Sequence, residues 1–176
     1  SLILGAAAYA GSEVGAIAGV MFPLFVRAVG VVTSIIGIVS VTPRSDDEHG
    51  MKAINRGFFI SAAISAAAVF VIAGIYMKDL RPGVAVLFGL ILASVIQILT
   101  QYFTDTKSKP VREIAEATQT GPATTILSGF AVGLESTVWA ILVIAAAVAG
   151  AFLLGDTTAE ALYFISLTGM GMLTTV

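Results

Sequence analysis

The sequence predicts an all-α protein: a polytopic transmembrane helix bundle with four full spans and a partial helix at each end. Three observations carry the architecture. Hydrophobic residues fill 57% of 176 positions and charged residues only 11%, more apolar surface than one water-soluble core of this size can hide. The apolar residues come in continuous runs, and a helix that satisfies its own backbone needs about 20 of them to cross the hydrocarbon. The runs do not alternate polar with apolar, which sets aside a β-barrel.

Taken in order, the chain opens with a partial apolar run over 1–10. The first full span covers about 16–42 and is closed by Thr42-Pro43. Pro23 lies within it and removes one backbone hydrogen bond, a cause of kinking. The second span covers about 55–77, and residues Asp79 to Gly83 turn it into the third, about 83–103. Thr120-Gly121-Pro122 opens the fourth, about 123–154, which is long enough to tilt or to project beyond the bilayer. A second partial run covers 159–176. Because the chain starts and stops within apolar runs, 1–176 is expected to be a single transmembrane region internal to a longer chain. Ser1-Leu2-Ile3-Leu4 lacks the charged flank and cleavage pattern of a signal peptide.

Basic residues orient the bundle. Arg44, Lys52, Arg56, Lys107, Lys109 and Arg112 lie in the two longer loops, whereas only Lys78 and Arg81 lie in the opposite set. Six against two places loops 43–56 and 104–121 in the cytoplasm. Within the second of these, Pro110 is expected at the first position of a short interfacial helix. Val111, Ile114, Ala115 and Thr118 form one face, and Arg112, Glu113, Glu116 and Gln119 the other.

Two charged residues fall inside the spans, Arg27 and Glu135, each roughly ten or more residues from a helix end. A charge at the bilayer midplane costs at least about 2.5 kcal/mol on insertion scales, so each should face protein, water or a partner. The structural alternatives are that Arg27 snorkels toward the outer surface, and that Glu135 is protonated or bonded to Ser136, Thr137 or nearby backbone. Gly129 and Gly133 form a GxxxG pair, Gly30 and Ser34 a similar one, and Ala145, Ala146, Ala149 and Gly150 thin the outer part of the fourth span. Lipid offers no hydrophobic drive for helix association, so such positions mark close packing, within one protomer or between subunits.

No catalytic constellation is legible in these residues. Asp46-Asp47-Glu48 followed by His49 invites a metal-site reading, but no spaced second ligand set supports it, and consecutive carboxylates in a short loop are expected to be solvated. His49 is the only histidine, Cys is absent, and there is no phosphate-binding glycine loop or HExxH pattern. A net charge of −2 without a basic stripe argues against a nucleic-acid partner.

One set of residues is more specific. Tyr102-Phe103-Thr104, Pro110-Val111, Ile114-Ala115 and Thr120-Gly121-Pro122-Ala123-Thr124, continued by Ile126, Gly129, Ala131, Gly133 and Ser136, resembles the membrane-integral pyrophosphatases. These pumps couple hydrolysis of inorganic diphosphate to H+ or Na+ translocation. Phe22-Pro23-Leu24, Gly30 with Ser34-Ile35-Ile36-Gly37, and Gly171-Met172-Leu173 match in the same order. Gln101 stands where the family commonly has Glu, and Thr125 where it commonly has Asn.

The resemblance implies a homodimer of bundles of about sixteen helices, a span count taken from the family alone. This chain would then be the tail of the sixth helix, helices seven to ten and the start of the eleventh. It implies a hydrolase that uses Mg2+ in the parent protein, with K+ dependence and the choice of H+ or Na+ not legible. The Asp-rich motifs that hold magnesium and diphosphate fall outside 1–176, so the segment is expected to be mainly scaffold and inactive alone. Arg27 and Glu135 do not map onto the family's ion gate. Two readings from other classes stand beside it: a secondary ion-coupled transporter using Glu135, and a non-enzymatic membrane-assembly subunit.

Overall fold

A computed structural model describes residues 1–11, 15–41 and 50–174. The described chain is helical, with α1 (Leu2–Ala8), α2 (Gly15–Val39), α3 (Gly50–Ile72), α4 (Arg81–Thr104), α5 (Lys109–Ala117), α6 (Pro122–Phe152) and α7 (Thr158–Met172). Four stretches, Gly15–Val39, Ala53–Met77, Arg81–Ala117 and Pro122–Phe152, include helices long and apolar enough to cross a membrane. The loop holding Asp46, Asp47, Glu48 and His49 lies outside the described residues, as does the Thr42-Pro43 helix stop.

Local chemistry explains the ends. A π-helical turn, Ala73–Met77, extends α3 and stops at Lys78, whose φ of 51° is left-handed. That conformation breaks the hydrogen-bond ladder and redirects the chain into α4. The sequence reading has the second span continue to residue 77 but does not foresee the wider turn at its end. Gly121, with φ of 132°, makes the corner before α6 that a side chain would strain. Thr157 caps α7: its hydroxyl accepts from the Glu160 N–H at 3.3 Å, while the Glu160 carboxylate accepts from the Asp156 N–H at 3.2 Å. Pro23 is buried within α2, and the helix continues through it.

The described residues form two compact units, Ser1–Ala93 with Ala147–Val176, and Ser94–Ala146. In the first, α2 and α3 pair antiparallel, with Thr33 against Ser65, Gly37 against Ser61, and Val41 against Gly57. The helix α1 crosses α2 at Gly5 and Gly19, where a Cβ on either glycine would enter the other's carbonyl oxygen. Tyr163 of α7 closes this crossing: it is fully buried and its hydroxyl donates to the Gly19 carbonyl at 2.9 Å. The core around it joins Tyr9, Phe22, Val26, Val69, Met77, Val86, Phe164 and Leu167.

The same device joins α4 to α7. A Cβ at Gly171 would come within 2.5 Å of the Val86 carbonyl oxygen, and one at Gly89 would overlap that of Thr168. The Thr168 hydroxyl, itself buried, donates to Ala85 O at 2.9 Å and to Phe164 O at 3.0 Å. Lipid cannot drive helices together by excluding water, so backbone contact and buried hydroxyl bonds supply the association.

In the second unit α5 is strongly amphipathic. Pro110 is buried at the second helical position, one later than the sequence suggests, with Ser108 preceding the helix. Its covered stripe is Pro110, Val111, Ile114 and Ala117, whereas Ala115 and Thr118 are exposed. The covered face is thus rotated from the Val111, Ile114, Ala115 and Thr118 face expected, toward Pro110 and Ala117.

Candidate functional site

The polar groups inside the helices, rather than any acidic cluster, form the site with the most defined geometry. Arg27 stands at the midpoint of α2. Its Nη1 donates to the carbonyl of Leu173 at 2.7 Å, just past the end of α7. A hydrogen bond from a charged donor contributes about 1.5–3 kcal/mol, similar in size to the insertion cost of the charge. Arg27 is thus bonded to backbone of its own chain while its side chain stays exposed.

Two turns along the same face, the Ser34 hydroxyl donates to the Thr174 carbonyl at 3.3 Å. Gly30 lies between them, where a Cβ would stand 2.5 Å from Thr174 Cγ2 and 3.0 Å from its carbonyl oxygen. A crevice of about 270 Å3 runs along this stripe, lined by Arg27, Gly30, Ser34, Ile38, Leu173 and Thr174. The Gly30–Ser34 pair expected to pack therefore does so, against α7.

Behind it lies a second polar layer that sequence reasoning missed. The buried hydroxyls of Thr33 and Ser65 are 2.6 Å apart, and Thr33 also donates to Gly30 O at 3.1 Å. Ser61, one turn along α3, is buried with its hydroxyl unbonded. The available signal was positional: Ser61 and Ser65 recur at i and i+4 in the second span, opposite Thr33 and Gly37 in the first.

Arg27 and Glu135 are both exposed, but among the described residues Glu135 makes no comparable bond on α6: the neighbouring Thr137 hydroxyl donates to the Gly133 carbonyl at 2.9 Å rather than to the carboxylate. Gly129 and Gly133 meet no atom within 4 Å of an added Cβ in the described chain. Gly150, near the end of the same helix, does pack, with Phe88 ring carbons at 3.5 Å. Arg27 and Glu135 belong to different units.

Polar loops complete the inventory. Arg81 pairs with Asp156, and its backbone N–H donates to Asp79 Oδ1 at 3.0 Å. Between α5 and α6 the Thr120 and Thr124 hydroxyls are 2.6 Å apart, and Thr124 donates to Gly121 O at 2.8 Å and Ala117 O at 3.1 Å. The Thr120 to Thr124 series thus fixes a corner. Among the described residues no three His, Cys, Asp or Glu side chains are grouped to hold a metal ion. These residues do not fit a Mg2+ site, and no chemical step is assigned to one here.

Comparison with known proteins matches residues 2–176 to the family described as inorganic H+ pyrophosphatase. The chain is 46% identical over its full length to a K(+)-insensitive pyrophosphate-energized proton pump of Streptomyces avermitilis, covering 24% of that protein. A relative of the same name in Streptomyces coelicolor is 48% identical over 90% of this chain and 23% of its own length. A protein of Clostridium tetani assigned as a K(+)-stimulated pyrophosphate-energized sodium pump is 37% identical over 99% of this chain and 26% of its own. The chain therefore spans about a quarter of the length of the curated relatives it matches.

Proposed function

Because this chain belongs to the inorganic H+ pyrophosphatase family, we propose that it is a scaffold segment of a membrane pump that couples diphosphate hydrolysis to ion translocation. The observation that carries this is the match over residues 2–176, in a chain whose described helices are long and apolar enough to cross a bilayer. Proton transport is the favoured reading, since the two relatives above with the higher identity are named proton pumps. Relatives named K(+)-insensitive and K(+)-stimulated both match, so potassium response belongs to residues that vary between them.

In this reading the segment supplies packed outer helices, and the carboxylates that would bind Mg2+ and diphosphate lie elsewhere in the pump. Segments 43–56 and 104–121 face the cytoplasm, in keeping with their basic residues; the first of them, expected to be a loop, carries the start of α3 from Gly50. The pump is a homodimer, and the Gly129–Gly133 face of α6 is a candidate for that contact. Phosphoryl transfer from diphosphate needs metal ions to neutralise its oxygens, chemistry for which the described residues have no ligand set.

The test compares the purified segment with the product of the complete gene in magnesium-dependent diphosphate hydrolysis. The complete protein is expected to hydrolyse diphosphate and acidify vesicles, and the segment alone to do neither. Hydrolysis by the segment alone, or none by the complete protein, would overturn the proposal.

A further inference from the structure

Arg27, Gly30 and Ser34 recur at i, i+3 and i+7, one stripe of α2, and all three meet the same two residues after α7. Arg27 donates to Leu173 O, Ser34 donates to Thr174 O, and Gly30 leaves the space that Thr174 fills. A second pin lies farther up the pair and runs the other way, from the Tyr163 hydroxyl of α7 to the Gly19 carbonyl of α2. Residues 163 and 173 are separated by about 15 Å along a helix at 1.5 Å per residue. Packing already holds α7 to α4 at Gly171 and Thr168. Two reciprocal hydrogen-bonded pins at different heights add a defined register against α2, because donors aimed at consecutive carbonyls match only one register.

We propose that Arg27 is a positioning residue of the pump, which with Ser34 and the gap at Gly30 fixes the depth and rotation of α7 against α2. Its role resides in the donated hydrogen bond, not in carriage of the pumped ion. The guanidinium extends far enough to reach a carbonyl on the next helix, and the charge strengthens the bond. Its effect on turnover rests on the pump reading above; the contact itself does not.

The experiment uses the complete pump in vesicles and reads two properties. The first is proximity: Ser34→Cys with Thr174→Cys, in a background cleared of other cysteines (this segment has none), should form a disulfide on mild oxidation. Absence of the crosslink overturns the clamp, whatever the activity. The second is kinetics. Arg27→Leu should lower kcat for diphosphate hydrolysis about tenfold, with KM within about twofold, because Arg27 touches no substrate.

Arg27→Gln keeps an N–H donor without charge and should restore the rate to within about threefold of the parent, as should Arg27→Lys. Rescue by Lys but not by Gln would assign the role to charge and overturn the proposal, as would unchanged kcat in Arg27→Leu. A parent protein without hydrolysis, in which the crosslink still forms, would count against the pump reading and in favour of the clamp.

Discussion

Gly5 of α1, Gly19 of α2 and Gly171 of α7 are pressed against backbone, whereas Gly129 and Gly133 of α6 meet nothing in the described chain. The two regions are similar in composition. Both are apolar helices thinned by small residues, yet 33% of the most apolar stretch of α2 is buried against 6% of that of α6. Small residues alone therefore do not show where a membrane helix packs; they show where it is able to. What separates the regions is hydrogen bonding between helices at the small-residue positions: Tyr163 donates to Gly19 O and Thr168 to Ala85 O in one, whereas at the Gly129–Gly133 face the Thr137 hydroxyl bonds within its own helix, to Gly133 O.

The largest expected effects break the packed region. Gly5→Val, Gly19→Val or Gly89→Val places a side chain where a neighbouring carbonyl already stands. Each should destabilise the detergent-solubilised complete protein by about 1–3 kcal/mol or more, seen as a lowered thermal midpoint. A midpoint unchanged by all three would mean that these helices do not meet as described.

Next in size is loss of a buried bond without loss of volume. Tyr163→Phe leaves the Gly19 carbonyl without this donor and should cost about 0.5–1.5 kcal/mol in the same melting experiment. Thr168→Val, which removes the bond to Ala85 O, should fall in the same range.

The α6 glycines sharpen the comparison. Gly129→Ala with Gly133→Ala should not lower the stability of the segment alone and should raise it modestly, since an added methyl meets nothing there and Ala favours helix by nearly 1 kcal/mol per site. In the complete protein, on the dimer reading proposed above, the same pair should weaken the oligomer, measured by light scattering or mass photometry in detergent. An oligomer unaffected by the double substitution would assign the face to lipid. The smallest effect is expected from Arg81→Ala, which removes an exposed pair with Asp156 whose side chains are 47% and 73% accessible. Salt and water screen such pairs, so its midpoint should match the parent's at high ionic strength.

Much of this was legible in the sequence because lipid imposes few solutions. Expected spans of 16–42, 55–77, 83–103 and 123–154 fall on helices Gly15–Val39, Gly50–Ile72 with its π turn, Arg81–Thr104 and Pro122–Phe152. Differences are confined to the ends, where a single cap or turn decides: Thr157 starts α7, Lys78 stops the π turn and Pro110 rotates the face of α5. Arg27 and Glu135 looked alike in sequence, two charges deep in apolar runs. Structure separates them: the Arg27 guanidinium donates to the Leu173 carbonyl, just past the end of α7, whereas Glu135 is a carboxylate exposed on α6. Such a bond depends on where α7 lies relative to α2, more than a hundred residues apart in sequence, and hydrophobic periodicity carries no information about that. Hydroxyl pairs such as Thr33 with Ser65 were missed for the same reason.

The most direct measurement of the central claim is a chimera. This chain would replace the matching quarter of the Streptomyces avermitilis pump, to which it is 46% identical, and magnesium-dependent diphosphate hydrolysis and vesicle acidification would be followed together. A scaffold segment of the same family should support both at rates near those of the parent pump. A chimera that inserts and dimerises normally but neither hydrolyses diphosphate nor moves protons would contradict the account.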